Sequence, residues 1–207
     1  MKNFIISIIL CLSYFSFNAH AFNSKDLNKA LALSERRKNP RLDISFYYSE
    51  EYSFDLSDTN LHGTDLSGSD LTGADLSEAD LSDVDLHGTI LTGANLTRSN
   101  LFGANLYDTK LHAAILDSAI LCQANLTNAN LTGAILTRTN LSWANLNGAN
   151  LDRANLSEAD LSWTNLNGTI LHKATLKKTN FYGSVGLMPS QKKYVKASGA
   201  IYYCSSN

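Results

Sequence analysis

From Leu56 to Leu176 leucine returns at every fifth position without a break, and Phe181 continues the series. Two places before each of these stands a small or moderate residue, such as Thr59, Ser69, Ala74, Val84, Ala124 or Ala134, with Phe54 the main oversized one. Neither regular element accommodates this spacing. On an α-helix five residues advance by about 500°, which scatters the leucines around the cylinder. In a straight strand side chains alternate, so leucines five apart point to opposite faces. The backbone must therefore bend once per five residues. Such a corner turns the leucine and the small residue two before it inward, while the other three places point out and carry nearly all the Asp, Asn, Ser, Thr, Gly, Lys and Arg.

Longer echoes give the number of corners in a closed turn. SWANLNGANLDR at 142–153 returns as SWTNLNGTILHK at 162–173, an offset of twenty; TGANLTRSNL at 92 returns as TGAILTRTNL at 132, and LSEADLS at 76 returns at 156. LHGT at 61 and 86 does not fit. Four corners and twenty residues then make one coil, which places Trp143 and Trp163 on neighbouring coils of one outer face.

The run of A-[DN]-L-x-x units, such as ADLSE at 74–78 and ANLTN at 124–128, resembles the pentapeptide repeat family over residues 54–183. The resemblance implies an all-β solenoid, a right-handed quadrilateral β-helix of about 6.5 coils, close to 31 Å long at the usual strand spacing, with short N- and C-terminal capping helices. In the place before leucine, Ile90, Lys110, Ile115, Ile120, Ile135, Ile170 and Thr175 depart from Asp or Asn, a change expected to alter the surface more than the core.

The flanks divide the rest. Lys2, the uncharged run from Phe4 to Phe17 and Ala19-His20-Ala21 have the layout of a cleavable secretory signal, residues 1–21, with cleavage expected after Ala21 and no transmembrane segment left behind. Residues 22–53 are expected to form an N-terminal cap, a helix from Ser24 to about Lys38 ended by Asn39-Pro40, then an irregular turn through Phe46, Tyr47 and Tyr48. Residues 184–207 are expected to form a C-terminal cap, with Pro189 opening a short helix and Gly199 ending it. Similar Gly-Leu-x-Pro endings follow the last repeat in many relatives by resemblance.

Composition narrows the chemistry. The chain has 17 Lys plus Arg against 19 Asp plus Glu, a net charge of -2, and loss of the leader with Lys2 lowers it by one. Nothing in that balance attracts nucleic acid or an acidic membrane. The charge is uneven: Asp55 to Thr97 holds nine carboxylates and no Lys or Arg, whereas 173–196 holds six lysines and no acid. Stacked Asp55/Asp75 and Asp65/Asp85 raise the option of a divalent cation. A sign-alternating column, Glu78 over Arg98 and then Arg138, Glu158 and Lys178, is expected to assist register.

His62, His87, His112 and His172 all take the first outward place after leucine and fall on different faces or distant coils, so they make no metal site. No nucleophile elbow or phosphate-binding loop accompanies the serines, and the glycines at 63, 68, 73, 88, 93 and 103 fill corners. Neither a catalytic constellation nor a cofactor is expected. The glycosylation-type triplets NLT, NLS and NGT arise from the repeat itself.

One face stands out, with Phe102, Ile120, Trp143, Trp163 and Tyr182 outward and Ile115 and Ile135 adjoining. Gathered exposed aromatics mark a contact surface. Two occupants are expected: the chain's own tail, Ile201 to Tyr203, folding back with Cys204 reaching Cys122 in a disulfide, or a protein partner, including a second copy in a homodimer. The leading function is an exported, periplasmic or secreted, non-enzymatic scaffold for protein–protein interaction. Its rivals are a DNA mimic that binds topoisomerases, as the resemblance implies for some cytoplasmic relatives, and a cation-dependent envelope or adhesion element.

Overall fold

The structure is a computed structural model that describes residues 55–202. The leader, the expected N-terminal cap and Phe54 lie outside the described residues.

Each repeat closes one corner by the same device. The N–H of the small residue donates to the carbonyl of the leucine three before it, as from Thr64 to Leu61 (3.1 Å) and Ala74 to Leu71 (3.1 Å). Every second outward residue, from Asp58 to Gly183, has positive φ. A turn bond with positive φ at its third residue is the type II geometry, for which glycine is the unstrained choice. Non-glycine residues nevertheless hold many corners at φ between 53° and 63°.

Successive coils pair in parallel at an offset of twenty, from Asp55 with Asp75 through Asn165 with Val185. The bridging residues, one before each leucine, define four faces. Face one runs Asp55, Asp75, Asn95, Ile115, Ile135, Asn155 and Thr175, and these begin coils one to seven. Face two runs from Asn60 to Asn180, face three from Asp65 to Val185, and face four from Asp70 to Ile170.

The hydrogen-bond accounting explains the consensus. Four of the five backbone N–H groups per repeat find carbonyls: leucine and the corner residue donate to the next coil (Leu76 to Asn95, 2.7 Å; Glu78 to Thr97, 2.9 Å), the bridging residue donates to the preceding coil (Asp80 to Thr59, 2.9 Å), and the small residue closes the turn. The fifth, on the first outward residue, is bound by the side chain two places earlier, as from Ser57 to Asp55 Oδ1 (3.0 Å) and Thr132 to Asn130 Oδ1 (3.1 Å). Asp or Asn is therefore selected because it satisfies an otherwise unmatched donor. Ile90, Lys110, Ile115, Ile120, Ile135 and Ile170 cannot accept this bond. Their cost falls on the corner backbone as well as on surface polarity.

Inside, the leucines from Leu56 to Leu176, with Phe181, are buried, together with the alanines and Val84 at the small places. Threonine is tolerated at these places, Thr64 excepted, because its hydroxyl donates to a leucine carbonyl, either of the same turn (Thr164 to Leu161, 2.7 Å) or one coil back (Thr109 to Leu86, 2.8 Å).

At the far end helix α1, Pro189–Ala197, opens with proline in its first turn and is followed by Gly199 at φ 75°. It stands where another coil would pass over faces four and one. There the carbonyls of Thr169 and Ala174 would accept backbone N–H groups; instead they receive Gln191 Nε2 (2.6 Å) and Tyr194 Oη (2.7 Å). Val195 and Leu187 enter the core. The chain then rejoins the ladder, with Ile201 bridging Asn180 on face two.

Candidate interaction face

The corner between faces two and three carries Trp143 and Trp163. Their rings stack with centroids 5.3 Å apart and planes 10° off parallel, and Tyr182 meets Trp163 edge-on at 5.4 Å. Both tryptophans sit at positive φ, 62° and 60°, a backbone that costs a bulky residue about 1–2 kcal/mol. Gly183 makes room for the ladder, since a Cβ there would lie 2.6 Å from the Trp163 ring. The indoles still face solvent: Trp143 is 62% exposed and Trp163 47%. Phe102, Ile120, Ile135 and Tyr182 are exposed as well, while Ile115 is half-buried.

The tail does not cover this face through its described part. Ile201 continues the ladder on Asn180, and Tyr202 packs against the core with Lys196 Nζ 5.7 Å from its ring. Cys204 lies outside the described residues.

The corner between faces one and two carries charge. Arg98 pairs with Glu78 and Lys178 with Glu158, each at 3.3 Å. Arg138 does not extend the column to Glu158 as the spacing suggests; it reaches Asp117 at 2.6 Å, the acid on the preceding coil. Asp117 also accepts a short bond from the Thr137 hydroxyl. That bond, with Arg138 beside it, holds the Asp117 carboxyl below the usual range against the opposing effect of burial. Asp80 is lowered by the hydroxyl and backbone N–H of Ser82, with His62 and the Asn100 amide assisting, again against burial. A lowered native value stabilises the fold fully above the unfolded value, about 3.9, and that contribution is lost as pH falls through the native one. The melting temperature is expected to hold from about pH 7 to 5 and to drop below about pH 4, read by circular dichroism.

The other candidate chemistry stays dispersed. His172 bonds Asp152 (2.7 Å), His62 bonds Ser82 (2.8 Å), and His87 meets Tyr107 edge-on. Asp55 bridges Asp75 and Asp65 bridges Asp85 as the spacing requires, and among the described residues no group of three or more His, Cys, Asp or Glu is placed to hold a metal. An open groove of about 480 Å³ lies between α1 and face four, lined by Ile170, His172, Met188, Gln191 and Tyr194 among others. Of its polar groups, Gln191 and Tyr194 are engaged by the rod's end carbonyls and His172 by Asp152. Among the described residues no helix is long and apolar enough to cross a membrane.

A corner every five residues, a twenty-residue ladder and an axial leucine column define a repeat solenoid. The Pentapeptide repeats family profile matches in eight copies, over residues 55–93, 79–117, 104–142, 114–153, 134–172 and 154–184, and the chain belongs to that family, whose fold is the right-handed quadrilateral β-helix. Among solved structures it is similar to HetL, a pentapeptide repeat protein involved in heterocyst differentiation regulation from the cyanobacterium Nostoc sp. strain PCC 7120, at 30% identity, with 71% of this chain and 78% of HetL covered and a TM-score of 0.40. It is also similar to QnrB1, a plasmid-mediated fluoroquinolone resistance protein, at 19% identity, 70% and 95% coverage and a TM-score of 0.41. A third is a pentapeptide repeat protein from the Arabidopsis thaliana thylakoid lumen, at 25% identity, 70% and 84% coverage and a TM-score of 0.23. No curated protein sequence matches.

Proposed function

We propose that this protein is an exported, non-enzymatic scaffold, a rod of about 6.5 coils, that binds protein through face two, its aromatic corner with face three and the adjoining isoleucines of face one. The observation that carries this reading is the pair of exposed, mutually stacked indoles held at positive φ. Glycine or asparagine would occupy those corners at lower cost, and aromatic side chains fixed on a rigid support lose little conformational freedom on binding. Export rests on the layout of residues 1–21 and places the protein in the periplasm or outside the cell. Mimicry of nucleic acid fits poorly, because the carboxylate-rich part covers about two coils and the opposite end is basic.

The test is crosslinking of an epitope-tagged copy in cell-envelope fractions, with the Trp143→Ser, Trp163→Ser double variant beside it. The expected result is a discrete adduct that falls at least about tenfold in the double variant, the scale of losing an aromatic anchor. An adduct that survives unchanged, or a tagged copy confined to the cytoplasm, would refute the reading.

A further inference from the structure

We infer that the protein associates with a second copy of itself, side by side and antiparallel, through face two and its two bordering corners, about a two-fold axis lying between coils four and five. This rests on the proposed contact face and names its occupant. Two separate patterns share that centre.

The first is charge. Along the corner between faces one and two the signs alternate coil by coil from coil two to coil seven: Glu78, Arg98, Asp117 (one place before the corner residue Ser118), Arg138, Glu158 and Lys178. Arg98, Arg138 and Lys178 remain largely open to solvent, at 69%, 61% and 66%, whereas Asp117, held by Arg138 and Thr137, is 22% exposed. Face-to-face packing about an in-plane axis perpendicular to the rod sets each corner column against itself reversed. Asp117 then faces the partner's Arg138, Arg98 faces the partner's Glu158, and Glu78 faces the partner's Lys178. Every contact joins opposite charges, and each occurs twice.

The second pattern is apolar. On the other border of face two, Phe102 of coil three faces the partner's Trp163 of coil six, and Cys122 faces the corner that carries the partner's Trp143.

Other occupants match less well. A uniformly charged partner, such as nucleic acid or an acidic peptide, is repelled at every second coil. A parallel pair, with its axis along the rod, sets the charged corner against the aromatic corner and leaves both unmatched. A reversed copy supplies the required alternation at the coil spacing by construction.

The experiment is sedimentation equilibrium of the purified protein, with Arg98→Glu and Glu158→Lys made separately and also mixed. Wild type is expected to dimerise reversibly, more weakly in about 0.5 M than in about 0.05 M salt. Each variant alone places like charges in contact twice and is expected to raise the dimer dissociation constant at least about tenfold. The equimolar mixture restores both opposite-charge contacts in the heterodimer, and its affinity should return to within about threefold of wild type. Unchanged melting curves keep folding out of the comparison. Wild type that stays monomeric at about 100 µM, variants that dimerise like wild type, or a mixture that fails to recover would each overturn the inference. A monomer whose envelope adduct still depends on Trp143 and Trp163 would overturn it while leaving the proposed function standing.

Discussion

Replacing Leu121 by aspartate is expected to unfold the rod. Leu121 is fully buried, and the ladder sets it between Leu101 and Leu141 in the axial column. Deleting the side chain as alanine should cost about 2–5 kcal/mol, the usual range for a leucine cavity that cannot collapse. A carboxylate adds the desolvation of a charge with no partner, since the interior around it offers hydrocarbon, engaged carbonyls, and the Ser99 and Thr139 hydroxyls, which already donate to Leu96 and Leu116. The repeats contact only their neighbours, so the damage also separates the coils on either side. Far-ultraviolet circular dichroism and urea titration should show loss of cooperative unfolding at room temperature. Gln123→Asp, two residues away at an outward corner, provides the control, with an expected change within about 0.5 kcal/mol.

Ending the chain after Gly186 should have the next largest effect. It removes Leu187 and Val195 from the core, the side-chain donors of Gln191 and Tyr194 from the Thr169 and Ala174 carbonyls, and the Ile201 bridge. The last leucines and a row of unpaired backbone groups would then meet water, which templates edge-to-edge growth. Light scattering after size exclusion should find large aggregates in place of a discrete species. The milder Tyr194→Phe leaves one carbonyl unmatched and should cost about 1–3 kcal/mol. A truncated rod that stays monodisperse with an unchanged melting temperature would show that α1 is dispensable.

Period and register were legible because they are set by the core. Leucine at every fifth place and echoes at twenty leave one way to keep Leu121 and its neighbours inside. The adjacency of Trp143 and Trp163 followed from the same arithmetic. The role of Asp and Asn before leucine was not legible, because it depends on which backbone N–H the turns leave unmatched. A composition pattern does not reveal that. The positive φ of the Trp143 and Trp163 corners was hidden for a related reason, since ten glycine corners suggest the strain but the coil geometry is what imposes it on every other residue there.

Side-chain choices between near-equal partners were also beyond the spacing rule. Arg138 has Glu158 one coil ahead and Asp117 one coil behind, and it takes the nearer pair that Thr137 already orders. The path of the tail was decided by the open edge at Asn180. A ladder with unpaired groups offers Ile201 backbone bonds, from Phe181 N–H (2.8 Å) and to Thr179 carbonyl (2.8 Å), that an aromatic surface cannot match.

The central claim is the twenty-residue square coil, and disulfide trapping tests it most directly. In a background with Cys11, Cys122 and Cys204 changed to serine, cysteines introduced at Asn130 and Asn150, which bridge across adjacent coils on face four, should oxidise to an intrachain bond in nearly every molecule. The pair at Asn125 and Asn150, on different faces, should remain as thiols. Efficient bonding at the twenty-five-residue spacing, or none at twenty, would contradict the fold.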